Sequence, residues 1–185
     1  MSQRKIDEWA IPYVNNFRTY IDIGASVGNT SVPYLNKFQK VIAFEPNPES
    51  YAKLTMNPTL TCFNFALSNK EGISVLKIPS QTMNPEHGSI ARRRNDAWNG
   101  PCFNVQTKLL DSFNFIDVDF IKIDVEQGEL EVVLGAMETI KKYRPTVFFE
   151  NKRNENDYLI ELFQGLNYSF VKHKSDTVVY HRNNQ

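Results

Sequence analysis

The stretch Tyr20-Ile21-Asp22-Ile23-Gly24-Ala25-Ser26-Val27-Gly28-Asn29-Thr30 constrains the fold of this chain more than any other. Tyr20, Ile21 and Ile23 suit a buried strand, and Gly24 and Gly28 let the backbone turn and approach a ligand where a Cβ would clash. Asn29 and Thr30 then open an apolar repeat through Val32, Leu35 and Phe38. That spacing predicts a helix whose free N–H groups and positive dipole end face the turn. A second strand, Val41-Ile42-Ala43-Phe44-Glu45, follows at once and ends on an acid. An acid at that tip, about 20 residues past the first glycine, suits capture of a ribose diol.

The rest of the chain alternates in the same way. Ile6, Trp9, Ala10, Tyr13, Val14 and Phe17 repeat at helical spacing and predict an N-terminal helix within residues 1–18, packed across the sheet. Asn47-Pro48 caps a helix through Tyr51, Leu54 and Met56, which Asn57-Pro58 ends. Leu60 to Leu67 reads as a third strand, Ile73-Val75-Ile78 as a short extended piece, and Phe103-Val105-Thr107-Leu109 as a strand with one exposed face. Between them, residues 79–101 carry Pro79, Pro85, Gly88, Gly100 and Pro101 without periodicity, as a long functional loop does. Val118 to Val125 is a continuous buried strand. A helix over 127–142, a strand Thr146 to Glu150, a helix near Tyr158 to Phe163 and extended segments 168–172 and 177–181 complete the chain. The pattern predicts one Rossmann-like α/β domain over 1–185. Its seven-stranded, mostly parallel, doubly wound sheet has helices on both faces, and 151–185 supplies a last helix and an antiparallel hairpin at one edge.

Composition removes several classes of function. The 185 residues carry 21 basic and 21 acidic side chains, so no overall positive field advertises a nucleic-acid partner. No apolar run reaches the length of a membrane span and Arg4, Lys5, Asp7 and Glu8 replace a signal-peptide core, which reads as a cytoplasmic protein without a membrane partner. Cys62 and Cys102 are isolated, as free thiols are, and His87, His173 and His181 match no metal-ligand spacing. No metal site is expected from them, and whether a divalent metal assists through Asp124 and Glu126 stays open.

The glycine turn also discriminates between cofactors. The dinucleotide pattern G-x-G-x-x-G needs glycines where this chain has Ser26 and Asn29; what it has is acid-x-Gly-x-x-x-Gly, with Asp22 ahead of Gly24. A carboxylate there repels a pyrophosphate but attracts a ligand bearing an ammonium and a sulfonium, as S-adenosylmethionine does. At this point the chain resembles the class I methyltransferases. Ile121-Lys122-Ile123-Asp124-Val125-Glu126-Gln127-Gly128, then Leu134-Gly135-Ala136 and Arg144-Pro145, sharpen the resemblance to the FkbM-type methyltransferases over residues 20–150. Phe44-Glu45-Pro46, Ala66-Leu67-Ser68 and Lys70-Glu71-Gly72 fit it too. The family reads Glu-Gly where this chain inserts Gln127.

The resemblance implies methyl transfer from S-adenosylmethionine, most often to a hydroxyl of a small molecule or sugar. It implies that Asp22, Gly24 and Gly28 face the methionine part of the cofactor, Glu45 the ribose, and Asn64, Phe65 and Ala66 the adenine, with Ala25, Ser26, Asn29 and Pro46 also in the cofactor site. Asp124 and Glu126, at the carboxyl end of their strand, read either as cofactor-side and catalytic acids or as helix-opening acids that complement the dipole. In the loop, His87 and Ser89 read as groups reaching the acceptor or as exposed polar residues, and Arg92 in Arg92-Arg93-Arg94 as an anion holder or a solvated face. Glu150 borders the pocket or is structural. Two other functions stay open: a non-catalytic S-adenosylmethionine-binding module, and a nucleic-acid methyltransferase. The second would carry an Asp/Asn-Pro-Pro-aromatic motif where this chain reads Asp124-Val125-Glu126.

Overall fold

Seven strands form the main sheet of the computed structural model, which describes Ile6 and residues 8–78, 89–90, 100–151 and 156–181. They are β1 (Thr19–Ile23), β2 (Lys40–Phe44), β3 (Thr61–Phe63), β7 (Val118–Ile123), β8 (Thr146–Glu150), β9 (Ser169–His173) and β10 (Asp176–Tyr180), in the order β3-β2-β1-β7-β8-β10-β9. β3, β2, β1, β7 and β8 run parallel, and β10 is antiparallel to both β8 and β9. The expected sheet, with its antiparallel edge, is the observed one. From β1 the chain runs outward to β2 and later returns to β7 on the other side, and at such a switch point the carboxyl ends of two adjacent strands open a crevice.

Alternation along the strands fills two cores, one on each face. Ile21, Ile23, Ile121, Ile123, Val147 and Phe149 meet α2 (Glu129–Leu134), α3 (Met137–Tyr143) and α4 (Asp157–Gly165). Tyr20, Val41, Ala43, Phe120 and Phe148 face the other way, against Tyr34, Phe38, Ile6, Ala10 and Leu54 of α1 (Pro48–Leu54). Each such side chain contributes roughly 1.5–3 kcal/mol on burial, so the central strands dominate the stability. The α1 cap is as expected: Asn47 Oδ1 accepts from the Glu49 amide at 2.9 Å.

Four segments differ from the sequence expectation. Among the described residues the N-terminal repeat is helical at Ile6, Glu8 and Trp9 and then makes a 3-10 turn at Ile11–Tyr13, where Pro12 has no N–H to continue an α-helical ladder toward Phe17. Pro33 acts likewise after β1: in place of a helix there is a 3-10 turn, Val32–Tyr34, whose ring at Tyr34 still reaches the core. The third strand breaks at Asn64-Phe65, and β4 (Ala66–Leu67) joins β5 (Gly72–Lys77) and β6 (Cys102–Lys108) in a second sheet of order β4-β6-β5. The helix over 127–142 is split at Gly135, where a Cβ would lie 2.1 Å from the Ser68 carbonyl oxygen. That close approach packs α2 against the end of β4.

Candidate active site

The crevice between β1 and β7 opens into a cavity of about 500 Å³, within the range of small-molecule sites. Gly24, Ser26, Glu45, Pro46, Phe65 and Asp124 line its main-sheet side, while Ser74 and Leu76 of β5, with Ile90, close it from the second sheet. Glu131 and Gln127 stand at the α2 side.

Glu45 is 7% exposed and both its oxygens are held: Oε2 accepts from the Ser26 amide and Oε1 from the Asn47 amide, each at 2.8 Å. Burial pushes its pKa up to about 7, against the pull of those amides and of Lys122. A carboxylate has about four lone pairs, so two remain for a pair of ligand hydroxyls. Asn64 backs this acid rather than lining the cavity; its amide donates to the carbonyls of Glu45 at 2.7 Å and Pro46 at 3.1 Å. It borders an adjoining groove with Tyr51 and Phe103.

The glycine turn is built differently from a phosphate cradle. Gly24 and Ala25 amides both donate to the Phe44 carbonyl at 3.0 Å, Ser26 donates to Glu45 and Gly28 to the Ala25 carbonyl, so these donors are spent inside the protein. With no helix after β1, the expected dipole end is also missing. Gly24 has φ +78°, and a Cβ on it would lie 2.0 Å from the Asp124 carbonyl oxygen. Ala25, Gly28 and Asn29 do not line the cavity.

Asp22 is 0% exposed and does not line the cavity. Its Oδ1 takes the Lys122 ammonium at 2.9 Å, and its Oδ2 takes the hydroxyls of Thr30 at 2.8 Å and Ser31 at 2.6 Å. Burial pulls the Lys122 ammonium down, but Asp22, then Asp124 and Glu45, outweigh it and hold the pKa above the ordinary lysine value. The sequence reading did not single out Lys122. The available signal was a lysine in the apolar run Val118–Ile123, which a buried strand tolerates only beside an acid.

Asp124 stands on the cavity wall, its carboxylate 3.9 Å from the Lys122 ammonium. Glu126 and Glu150 do not line the cavity, yet carboxylate oxygens of Asp124, Glu126 and Glu150 all lie within 4.8 Å of one another. Three acids that close can hold a cation between them. Asp124 and Glu126 lie past the carboxyl end of their strand rather than in it, since β7 ends at Ile123 and Glu126 is left-handed at φ 53°. Ser89 is buried, its hydroxyl donates to the Glu126 carbonyl, and it does not line the cavity. His87 and Arg92 lie outside the described residues.

Gln127 follows Glu126 in the left-handed region at φ 79°. A non-glycine residue there costs on the order of 1–3 kcal/mol. Gln127→Gly should therefore raise the unfolding free energy by roughly 1 kcal/mol, a gain of about 2–4 °C in melting temperature. A lower melting temperature in thermal unfolding would show that the side chain, not the backbone, governs this turn.

With this geometry in place, the family follows from one match. The model of the methyltransferase FkbM domain covers residues 22–170. The chain belongs to the FkbM methyltransferase family. No curated protein matches it in sequence. Among solved structures, an FkbM methyltransferase from Methylobacillus flagellatus KT superposes with a TM-score of 0.61 at 16% identity, over 88% of this chain and 43% of that one. This chain thus spans less than half the length of that FkbM relative. A putative methyltransferase from Streptococcus mutans, in complex with SAH, gives 0.55 at 10% identity over 97% and 99% of the two chains. An rRNA methylase from Streptococcus thermophilus gives 0.53 at 10% identity over 92% and 91%. At such identities the likeness carries the fold, which is shared across FkbM and other methyltransferases. Among the described residues, Cys62 and Cys102 are free thiols, and no helix is long and apolar enough to cross a membrane.

Proposed function

We propose that this FkbM-family chain is a methyltransferase that uses S-adenosylmethionine and methylates a hydroxyl of a small molecule or sugar. The observation that carries the reading is Glu45: a buried acid at the tip of β2, fixed by two backbone amides, with two lone pairs aimed at a cavity of cofactor size. A ribose diol fits those two acceptors. The spent amides of the glycine turn argue against a pyrophosphate and so against a dinucleotide.

S-adenosylmethionine, when bound, supplies a methyl group on a sulfonium, open to in-line attack. The chain's part is to orient, to exclude water and to move one proton. Gly24 and Asp124 take the amino-acid end, Glu45 the ribose, and Phe65 with Ala66 the adenine. Asp124 is the group on the wall that can accept the acceptor's hydroxyl proton, with Glu126 and Glu150 beside it. Among the described lining residues Glu45, Asp124 and Glu131 are acids, and no lysine, arginine or histidine joins them. That lining favours a neutral hydroxylated acceptor over a nucleic acid, whose phosphates call for basic contacts.

The test is ligand-induced stabilisation. At a hundredfold excess over its dissociation constant, S-adenosylhomocysteine should add about 2.7 kcal/mol and raise the melting temperature by roughly 5–10 °C, while NAD leaves it unchanged. Stabilisation by NAD alone would overturn the assignment.

A further inference from the structure

Lys122 sits one residue from the carboxyl end of central strand β7 at 1% exposure, where a parallel sheet ordinarily holds an aliphatic residue. Its position follows from register, since Lys122 and Asp22 are direct partners across β7 and β1. An ion pair alone would need only that contact, and buried pairs are a weak source of stability because desolvation offsets their attraction. Lys122 does more. Its ammonium also donates to the Gly24 carbonyl oxygen at 2.9 Å and lies 3.9 Å from Asp124 Oδ2. Gly24 and Asp124 both line the cavity at the switch point, one just past the end of each strand, and a single buried cation reaches both. Asp22 meanwhile accepts from Lys122, Thr30 and Ser31, all inside the protein and away from the cavity.

We infer that Lys122 is a positioning residue for the amino-acid end of the cofactor cavity, fixing the Gly24 carbonyl and the Asp124 carboxylate while keeping Asp22 out of ligand contact. The inference rests on the S-adenosylmethionine reading of that cavity. Its effect is local, because Glu45 at the ribose end is held by its own two backbone amides. Removing Lys122 therefore disturbs recognition of the amino-acid moiety and leaves recognition of the nucleoside in place.

Lys122→Met alone strands a buried carboxylate, so the variant to make is Asp22→Asn with Lys122→Met, which keeps the site neutral. Titration calorimetry on the full chain with S-adenosylhomocysteine, and separately with adenosine, reads the two ends of the cavity. The double variant should bind S-adenosylhomocysteine about tenfold more weakly or worse, the scale of a lost charge-assisted hydrogen bond, while its affinity for adenosine stays within about twofold of the wild type. Asp22→Asn with Lys122→Gln, whose amide still donates toward the Gly24 carbonyl, should recover part of the loss. If both ligands weaken together in the two double variants, or neither does, Lys122 is only structural and the inference is overturned. If the wild-type chain binds no S-adenosylhomocysteine, the cofactor reading falls and this inference with it.

Discussion

Gly24→Ala should be among the most damaging single substitutions in this chain, costing roughly 4 kcal/mol in unfolding free energy and abolishing S-adenosylhomocysteine binding. Two effects combine. The position has φ +78°, which an L side chain rarely adopts, and the added Cβ would meet the Asp124 carbonyl oxygen at 2.0 Å. Neither neighbour can retreat cheaply. Asp124 N donates to the Ile23 carbonyl at 3.0 Å, and the Gly24 amide donates to Phe44 at 3.0 Å, so the contact is strand against strand. Urea unfolding measures the stability loss. A wild-type midpoint for Gly24→Ala would mean that the ends of β1 and β7 stand too far apart for the 2.0 Å clash, which would also change the cavity between them.

Asp124→Asn should separate binding from chemistry. The substitution keeps shape and removes the proton acceptor on the cavity wall, so turnover with the chain's own acceptor should fall by about 10²-fold or more. Affinity for S-adenosylhomocysteine should fall less than turnover does, because Glu45 and the glycine turn are untouched and the substituted amide oxygen can still accept from the ligand's ammonium. Glu126→Gln should have the smaller effect, since Glu126 stands beside Asp124 but off the cavity wall. Full turnover in both variants would make the acids structural and direct the search for a base to Glu150 or His87.

The sheet was legible because its strands are nearly continuous apolar runs, each followed by a turn. Val41-Ile42-Ala43-Phe44 and Val118 to Ile123 can hardly be anything but buried parallel strands. Glu45 was legible for the same reason, as an acid placed where such a strand stops. Prolines misled the helix reading: Pro12 and Pro33 sit inside good 3.6-residue repeats, and the missing N–H outweighed the periodicity. The second sheet was not legible, because β4 has two residues and its partners come from pieces whose pairing is non-local. That sheet closes the cavity, so Ser74, Leu76 and Ile90 escaped the site reading as well.

Asp22 teaches a narrower lesson. Its place in the acid-Gly pattern was right, but its role depends on what the neighbouring strand presents, and Lys122 turns it from a ligand-facing charge into half of a buried pair. A one-dimensional motif does not contain that register. Reading β1 and β7 side by side would have found it, because the only lysine in the Val118–Ile123 run faces the only acid in the Thr19–Ile23 run.

On the proposed function, the cavity at the β1/β7 switch point holds S-adenosylmethionine by its ribose. The most direct measurement is a crystal structure of the full chain grown with S-adenosylhomocysteine. The predicted result is ligand density in the cavity beside Gly24, Phe65 and Asp124, with both ribose hydroxyls about 2.7 Å from the Glu45 carboxylate oxygens, the length of a good O–H to carboxylate bond. Density at another surface, or a ribose turned away from Glu45, would contradict the account.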